Sequence, residues 1–189
     1  MTLYALALFF HIVGALGLFV ALGLEWTSLV YLRRTATAEQ AGDWLGVIRV
    51  NRVLGPASLA TILVTGFYMM AATWGAVGWI IVALGAMVLL AAIGAGLTGA
   101  RIGGVERAVA AEHGPVSDGL RQRLHDPLLR LGVQLRVAIG LGIVFLMTVK
   151  PDMVGALAAM TVAIALGLVS ALPLLRRVHI KDTASPARS

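Results

Sequence analysis

The sequence predicts an all-α, polytopic membrane bundle of about five spans, each needing about 20 mostly apolar residues. Three observations carry that prediction. Hydrophobic residues make up 59% of the 189-residue chain and charged ones only 13%, against roughly 25% charged in a soluble domain. Mean hydropathy is +0.92. Charged residues are absent from long stretches, and the basic ones fall almost wholly on one side of those stretches.

Residues 1–24 contain no Lys, Arg, Asp or Glu, and the apolar pattern continues past Glu25 to Leu32. This is span one. No basic region precedes it and Arg33-Arg34 follow it, the layout of a retained anchor rather than a cleaved signal. Residues 53–100 are also uncharged, too long a stretch for one crossing. Thr73-Trp74-Gly75 and Gly78-Trp79 divide it, with interfacial tryptophans and turn glycines. Spans two and three are then 53–72 and 77–100. Span four is 128–149, stopped by Lys150-Pro151-Asp152, and span five is 153–175, stopped by Arg176-Arg177.

The segments following spans one, three and five hold twelve basic residues, among them Arg33, Arg34, Arg49, Arg52, Arg101 and Arg107. The opposite side holds only Lys150. The positive-inside rule therefore puts the N-terminus outside and the C-terminus in the cytoplasm. Residues 1–181 form one transmembrane domain, and 182–189 a polar, disordered tail. The formal charge of +6 is read as orientation and attraction to the lipid bilayer, with no nucleic acid partner. The chain has no cysteine, which excludes disulfides, thiolate metal ligands and cysteine nucleophiles.

The cytoplasmic segments carry local signals. Thr37-Ala38-Glu39-Gln40 opens like a helix cap, and Trp44, Leu45 and Ile48 fit an amphipathic lead-in to span two. Pro56 should kink or restart that helix. Residues 116–126 have a helical pattern expected to run straight into span four.

Lipid supplies no hydrophobic force between helices, so close packing needs small residues. Ala159, Ala163, Gly167 and Ala171 line one face of span five; Ala92, Gly96 and Ala100 do so on span three. Gly14 and Gly17 follow His11 on span one. Such stripes serve internal packing or a homodimer seam, and the pattern does not separate the two.

Ionisable groups inside a bilayer face a partner or a cavity. Four stand out: His11, Glu25, Arg130 and Arg136. Fourteen steps of 100° bring Glu25 back to the face of His11, with Tyr4 and Leu18 on the same stripe. The two ionisable groups are about 21 Å apart along the axis, too far to act directly together. Glu25 is expected to form a structural ion pair with Arg136 on span four, or with Arg52, with Gln134 and Asn51 completing a cluster. Arg130 is expected to snorkel toward headgroups.

His11 lies in the outer half of span one. Met69, Met70, Met147, Met153 and Met160 map to that same half. Imidazole and thioether ligands suit copper(I), or a six-coordinate haem with one histidine and one methionine. The candidate cofactor is therefore haem b or copper, with His11 as ligand, Met147 or Met69 as its best partner, and Met70 and Met153 as further metal ligands. Methionine is also an ordinary flexible core filler. His113, His125 and His179 belong to cytoplasmic segments, so two histidines could share a haem only through a dimer joining two copies of His11. No nucleophile–base constellation, phosphate loop or zinc-helix motif occurs.

Span one reads FFHIVGALGLFVALGLEWTSLVYLRR, span two opens RVLGPASLATILVTGFYM, and span four closes FLMTVKPD. This layout resembles a group of small bacterial integral-membrane proteins of unknown function. It is similar in arrangement to copper-resistance D-type proteins and membrane-type protoporphyrinogen oxidases. The resemblance implies a bacterial cytoplasmic (inner) membrane and a first-span histidine that contacts haem or copper, here His11. Span three lacks the histidine or lysine that oxidase-like relatives would carry, so porphyrin oxidation does not transfer. The leading expectation is haem or copper binding near the outer face, for electron transfer or metal handling. The alternatives are a dimeric small-solute or proton-coupled transporter or channel, and an accessory subunit with no site of its own.

Overall fold

Thr2 sets the first helix by accepting a hydrogen bond from the Ala5 N–H at 3.3 Å, satisfying one of the free donors at a helix start. From there α1 runs Leu3–Leu32. The computed structural model describes residues 2–183, with side chains to residue 171. α2, Ala38–Met69, continues into a π-helical turn, Met70–Trp74. α3, Gly78–Ala92, passes through a second π-helical segment, Ile93–Gly99, into α4, Ala100–Ala110. α5 is Asp118–Leu124, α6 Pro127–Val149 and α7 Met153–Thr183. Four helical runs among the described residues are long and apolar enough to cross a membrane, and Met153–Val169 adds a shorter apolar helix.

The cap and the lead-in to span two form as expected: Thr37 accepts from the Gln40 N–H at 3.3 Å, Leu45 and Ile48 are buried, and α2 runs from Ala38 into the apolar stretch without restarting at Pro56. Trp44 stacks on Tyr31 of α1 at 4.5 Å, so the polar half of α2 is held by packing rather than ending at the apolar stretch. Other expectations about the elements are corrected. Residues 116–126 do not run straight into span four. Asp126 accepts from the Leu128 N–H at 2.9 Å, and Pro127 occupies the first helical turn, which together start a new helix. α7 continues to Thr183 rather than stopping at residue 175. The polar tail expected over 182–189 falls largely on residues 184–189, outside the described residues.

The helices enclose two apolar cores. One, toward the end that carries the α1–α2 and α4–α5 connections (the loop end), gathers Leu29, Leu45, Ile48, Val105, Leu120 and Leu129. The other, toward the N-terminal end, gathers Leu22, Ile62, Met87, Ile139, Leu146 and Met160. Small residues set the approach of the helices. A Cβ on Gly14 would lie 3.1 Å from the Ser58 carbonyl, so α1 and α2 pack backbone to backbone there. On α7, the Ala163 Cβ sits 3.0 Å from where Gly142 would carry one, and Gly167 faces Ala138 at 2.9 Å. The small-residue stripe of α7 is thus consumed within the chain, against α6. The stripe Ala92, Gly96 and Ala100 is exposed.

Tight turns close the N-terminal end. Gly75 takes φ +66°, open mainly to glycine, and its N–H returns to the Met70 carbonyl at 2.8 Å. Gly78 packs directly on Met153, where a Cβ would come within 2.9 Å of backbone. Lys150 has φ +52°, the left-handed conformation that ends α6.

Candidate functional site

His11 is 8% exposed and faces the interior from α1. Its Nδ1 lies 3.2 Å from the Ile62 carbonyl oxygen and 3.1 Å from Thr65 Oγ1. The Thr65 hydroxyl already donates to the Thr61 carbonyl at 2.6 Å, so it offers His11 only lone pairs. Both neighbours of Nδ1 are therefore acceptors, and Nδ1 carries the proton. In the neutral ring Nε2 is then bare, and it points at Met147 Sδ, 3.4 Å away. Gly66 makes room for the ring: a Cβ there would sit 3.3 Å from His11 Cε1.

This nitrogen–sulfur pair borders a cavity of about 340 Å³ between α1, α2, α3 and α6. Met69, Met70 and Met87 also line it. At its mouth Trp74 Nε1 donates to the Tyr4 hydroxyl at 3.3 Å, Trp79 meets Trp74 edge-on at 5.8 Å, and Lys150 Nζ lies 4.0 Å from the Trp74 ring centre. The first π-helical turn, Met70–Trp74, forms part of this rim; such turns recur at functional sites.

The fold therefore brings His11, Met69, Met70 and Met147 to one cavity. Met153 is elsewhere, 41% exposed and packed on Gly78. Met160 fills core space beneath Gly142, its Sδ 3.3 Å from where a Cβ would stand. Nothing in the local sequence marks Met87, which lies mid-helix rather than near a span end. The roles of the Ile62 carbonyl, Thr65 and Gly66 depend on the α1–α2 register, which pattern alone does not fix. Among the described residues no group of three or more His, Cys, Asp or Glu could hold a metal.

A second polar cluster lies further along the same face of α1. Arg136 Nη1 donates to Glu25 Oε1 at 2.8 Å, with side chains only 11% and 5% exposed. Asn51 Nδ2 donates to Glu25 Oε2 at 3.4 Å. Gly94 lets the guanidinium close in, 3.4 Å from where a Cβ would be. Arg52 does not pair with Glu25. It is one position round the helix from Asn51, and it reaches Glu106 of α4 at 2.6 Å instead. Gln134 does not join the cluster either: it faces a different pocket with Trp26 and Ser170, and its Oε1 is buried with no partner among the described residues. The Glu25–Arg136 cavity, about 410 Å³, is bordered by the second π-helical segment. Arg130 lies over the Trp26 ring at 5.5 Å.

Comparison with protein-family models, curated proteins and solved structures finds no match.

Proposed function

We propose that this chain is a multi-pass protein of a bacterial cytoplasmic membrane that holds copper(I) between His11 and Met147, near the outer face. The membrane reading is supported by the long apolar helices and by their outward faces, where Phe9, Leu16, Val64, Val88, Val154 and Leu166 are exposed. The orientation rests on the one-sided arginines.

One observation carries the copper reading. His11 Nδ1–H is held by a backbone carbonyl, which leaves the Nε2 lone pair facing a thioether 3.4 Å away. Imidazoles that ligate metals are usually held at the other nitrogen in just this way. Two lone pairs facing each other in an apolar cavity gain nothing without an electrophile between them. With metal–nitrogen and metal–sulfur bonds of about 2.0 and 2.3 Å, that separation subtends roughly a tetrahedral angle. A nitrogen and a sulfur 3.4 Å apart would leave room for a single cation but not for a porphyrin ring between them. The geometry therefore favours a single soft cation over haem b. Thioether and imidazole together select copper(I). Met69, Met70 and Met87 offer a third donor within the same cavity. A site of this kind holds a reduced cation, so metal handling fits it better than electron transfer.

Copper(I) titration of the purified protein in detergent, against a competing chelator, tests this. One copper per chain is expected, with binding lost in His11→Ala and strongly weakened in Met147→Leu. Absence of bound copper, or unchanged binding in both variants, overturns the reading. A Soret band that His11→Ala abolishes would transfer the site to haem.

A further inference from the structure

We propose that a pocket of about 280 Å³ at the loop end is an anion site for a phosphoryl group, and that its occupant is the headgroup of an anionic phospholipid. The pocket lies between the last turns of α1 and the start of α6. Arg33, Arg34, Arg130 and His125 line it, with Trp26 and Val30 as apolar wall. It is separate from the copper site, and only the choice of a lipid occupant rests on the membrane reading.

Arg33 and Arg130 are held in place with no carboxylate at salt-bridge distance among the described residues. Arg33 donates from Nε to the Leu124 carbonyl at 3.1 Å and from Nη2 to the Asp126 carbonyl at 2.9 Å. Those bonds fix its position but leave its charge unneutralised. The Asp126 carboxylate is taken by Arg101 at 3.0 Å and by the cap of α6. Arg130 lies against Trp26, and its Nε is buried with no hydrogen-bond partner among the described residues. His125 donates Nδ1–H to the Arg121 carbonyl at 2.9 Å, so its Nε2 donates to an anion only in the doubly protonated ring. Burial and the charge of Arg130 both pull the Arg33 guanidinium below its ordinary value, against the opposing pull of Asp126. Like charges fixed together at reduced dielectric repel one another.

A phosphoryl group removes that repulsion and supplies the missing acceptors. Its oxygens suit the planar fork of guanidinium donors, often two at a time. The apolar wall decides between sources. Trp26 and Val30 continue the helix face of α1 toward the bilayer, so a phosphate carrying acyl chains buries against them, whereas free phosphate leaves them in water. The pocket also sits where the apolar part of α1 meets Arg33 and Arg34, the depth of a headgroup in the proposed orientation.

The experiment is native mass spectrometry of the full chain in detergent, equilibrated with phosphatidylglycerol and phosphatidylcholine together. The wild type is expected to retain one phosphatidylglycerol in preference to phosphatidylcholine. Arg34→Gln and Arg130→Gln should each lower that retention about fivefold, and Arg107→Gln, outside the pocket, should not. Arg34 is exposed, so its variant tests the site even if loss of the Arg130–Trp26 contact impairs folding. No preference between the lipids, or an equal loss in Arg107→Gln, overturns the proposal. If inorganic phosphate alone displaces phosphatidylglycerol at millimolar concentration, the lipid assignment falls and a free phosphate takes its place.

Discussion

Gly66 stands directly against His11: a Cβ at that position would lie 3.3 Å from the imidazole Cε1 and 3.6 Å from Nδ1. The glycine thus fixes how deeply the ring enters α2, and with it the direction of Nε2 toward Met147. Gly66→Ala should move the ring by a few tenths of an ångström. Gly66→Val should turn it away from the Ile62 carbonyl and weaken copper binding by about tenfold or more, the usual scale for a lost supporting contact. Helix content by circular dichroism should not change. Full copper affinity in Gly66→Val would mean that the ring's position is irrelevant to the ligand.

Glu25 and Arg136 are separated by 111 residues yet meet at 2.8 Å with little solvent. Removing one partner leaves a buried charge, so Arg136→Met should destabilise by about 3–5 kcal/mol. Replacing both, Glu25→Leu with Arg136→Met, should recover most of that loss. Tryptophan fluorescence during thermal unfolding in detergent would measure the series. Simple additivity of the two single losses would show that the side chains act separately.

How much of this was legible beforehand depended on range. Helix identity follows from local hydropathy, so the apolar runs are readable, as are the turns at Gly75 and Lys150. Glu25 and Arg136 were readable as a pair because lipid leaves each few other choices. Arg52 was misread as a rival partner because its choice depends on α4, whose position relative to α2 no periodicity encodes. The segment 116–126 was misread because its helical pattern hid the stop at Asp126-Pro127. Four of the methionine and histidine positions proposed as ligands share a cavity, but Met153 does not, since depth along the helices was readable and rotation about their axes was not. The basic pocket joins Arg33 and Arg130, residues far apart in sequence, and Arg130 alone reads as an ordinary snorkelling side chain.

Two glycines should respond oppositely to the same change. Gly75 has φ +66° and ψ −171°, a conformation essentially confined to glycine. Gly75→Ala should therefore cost about 1–3 kcal/mol, although no atom lies within 4 Å of its missing Cβ. Gly85, inside α3, also has nothing within 4 Å. There Gly85→Ala should be neutral or stabilise by about 0.5–1 kcal/mol through helix propensity. Melting temperatures of the two variants would separate backbone strain from space filling. Equal effects would show that the Gly75 turn relaxes freely.

Glu39 links the start of α2 to the α4–α5 connection. Its carboxylate accepts from the Gly114 N–H at 3.0 Å, beside the short bridge between Thr37 and Pro115. That bond holds the carboxyl below its ordinary value, helped by its own N–H and by Thr37. Because the folded value is the lower one, the associated stability is present above the unfolded carboxylate value of roughly 4 and is lost as pH falls through the folded one. The difference in stability between wild type and Glu39→Gln should therefore be greatest near neutral pH and shrink on acidification below that range. The effect is expected to be small, since the group is exposed to solvent and its charge is screened. A difference that grows with acid would reverse the sign and would mean that the protonated carboxyl, acting as a donor, holds the bridge.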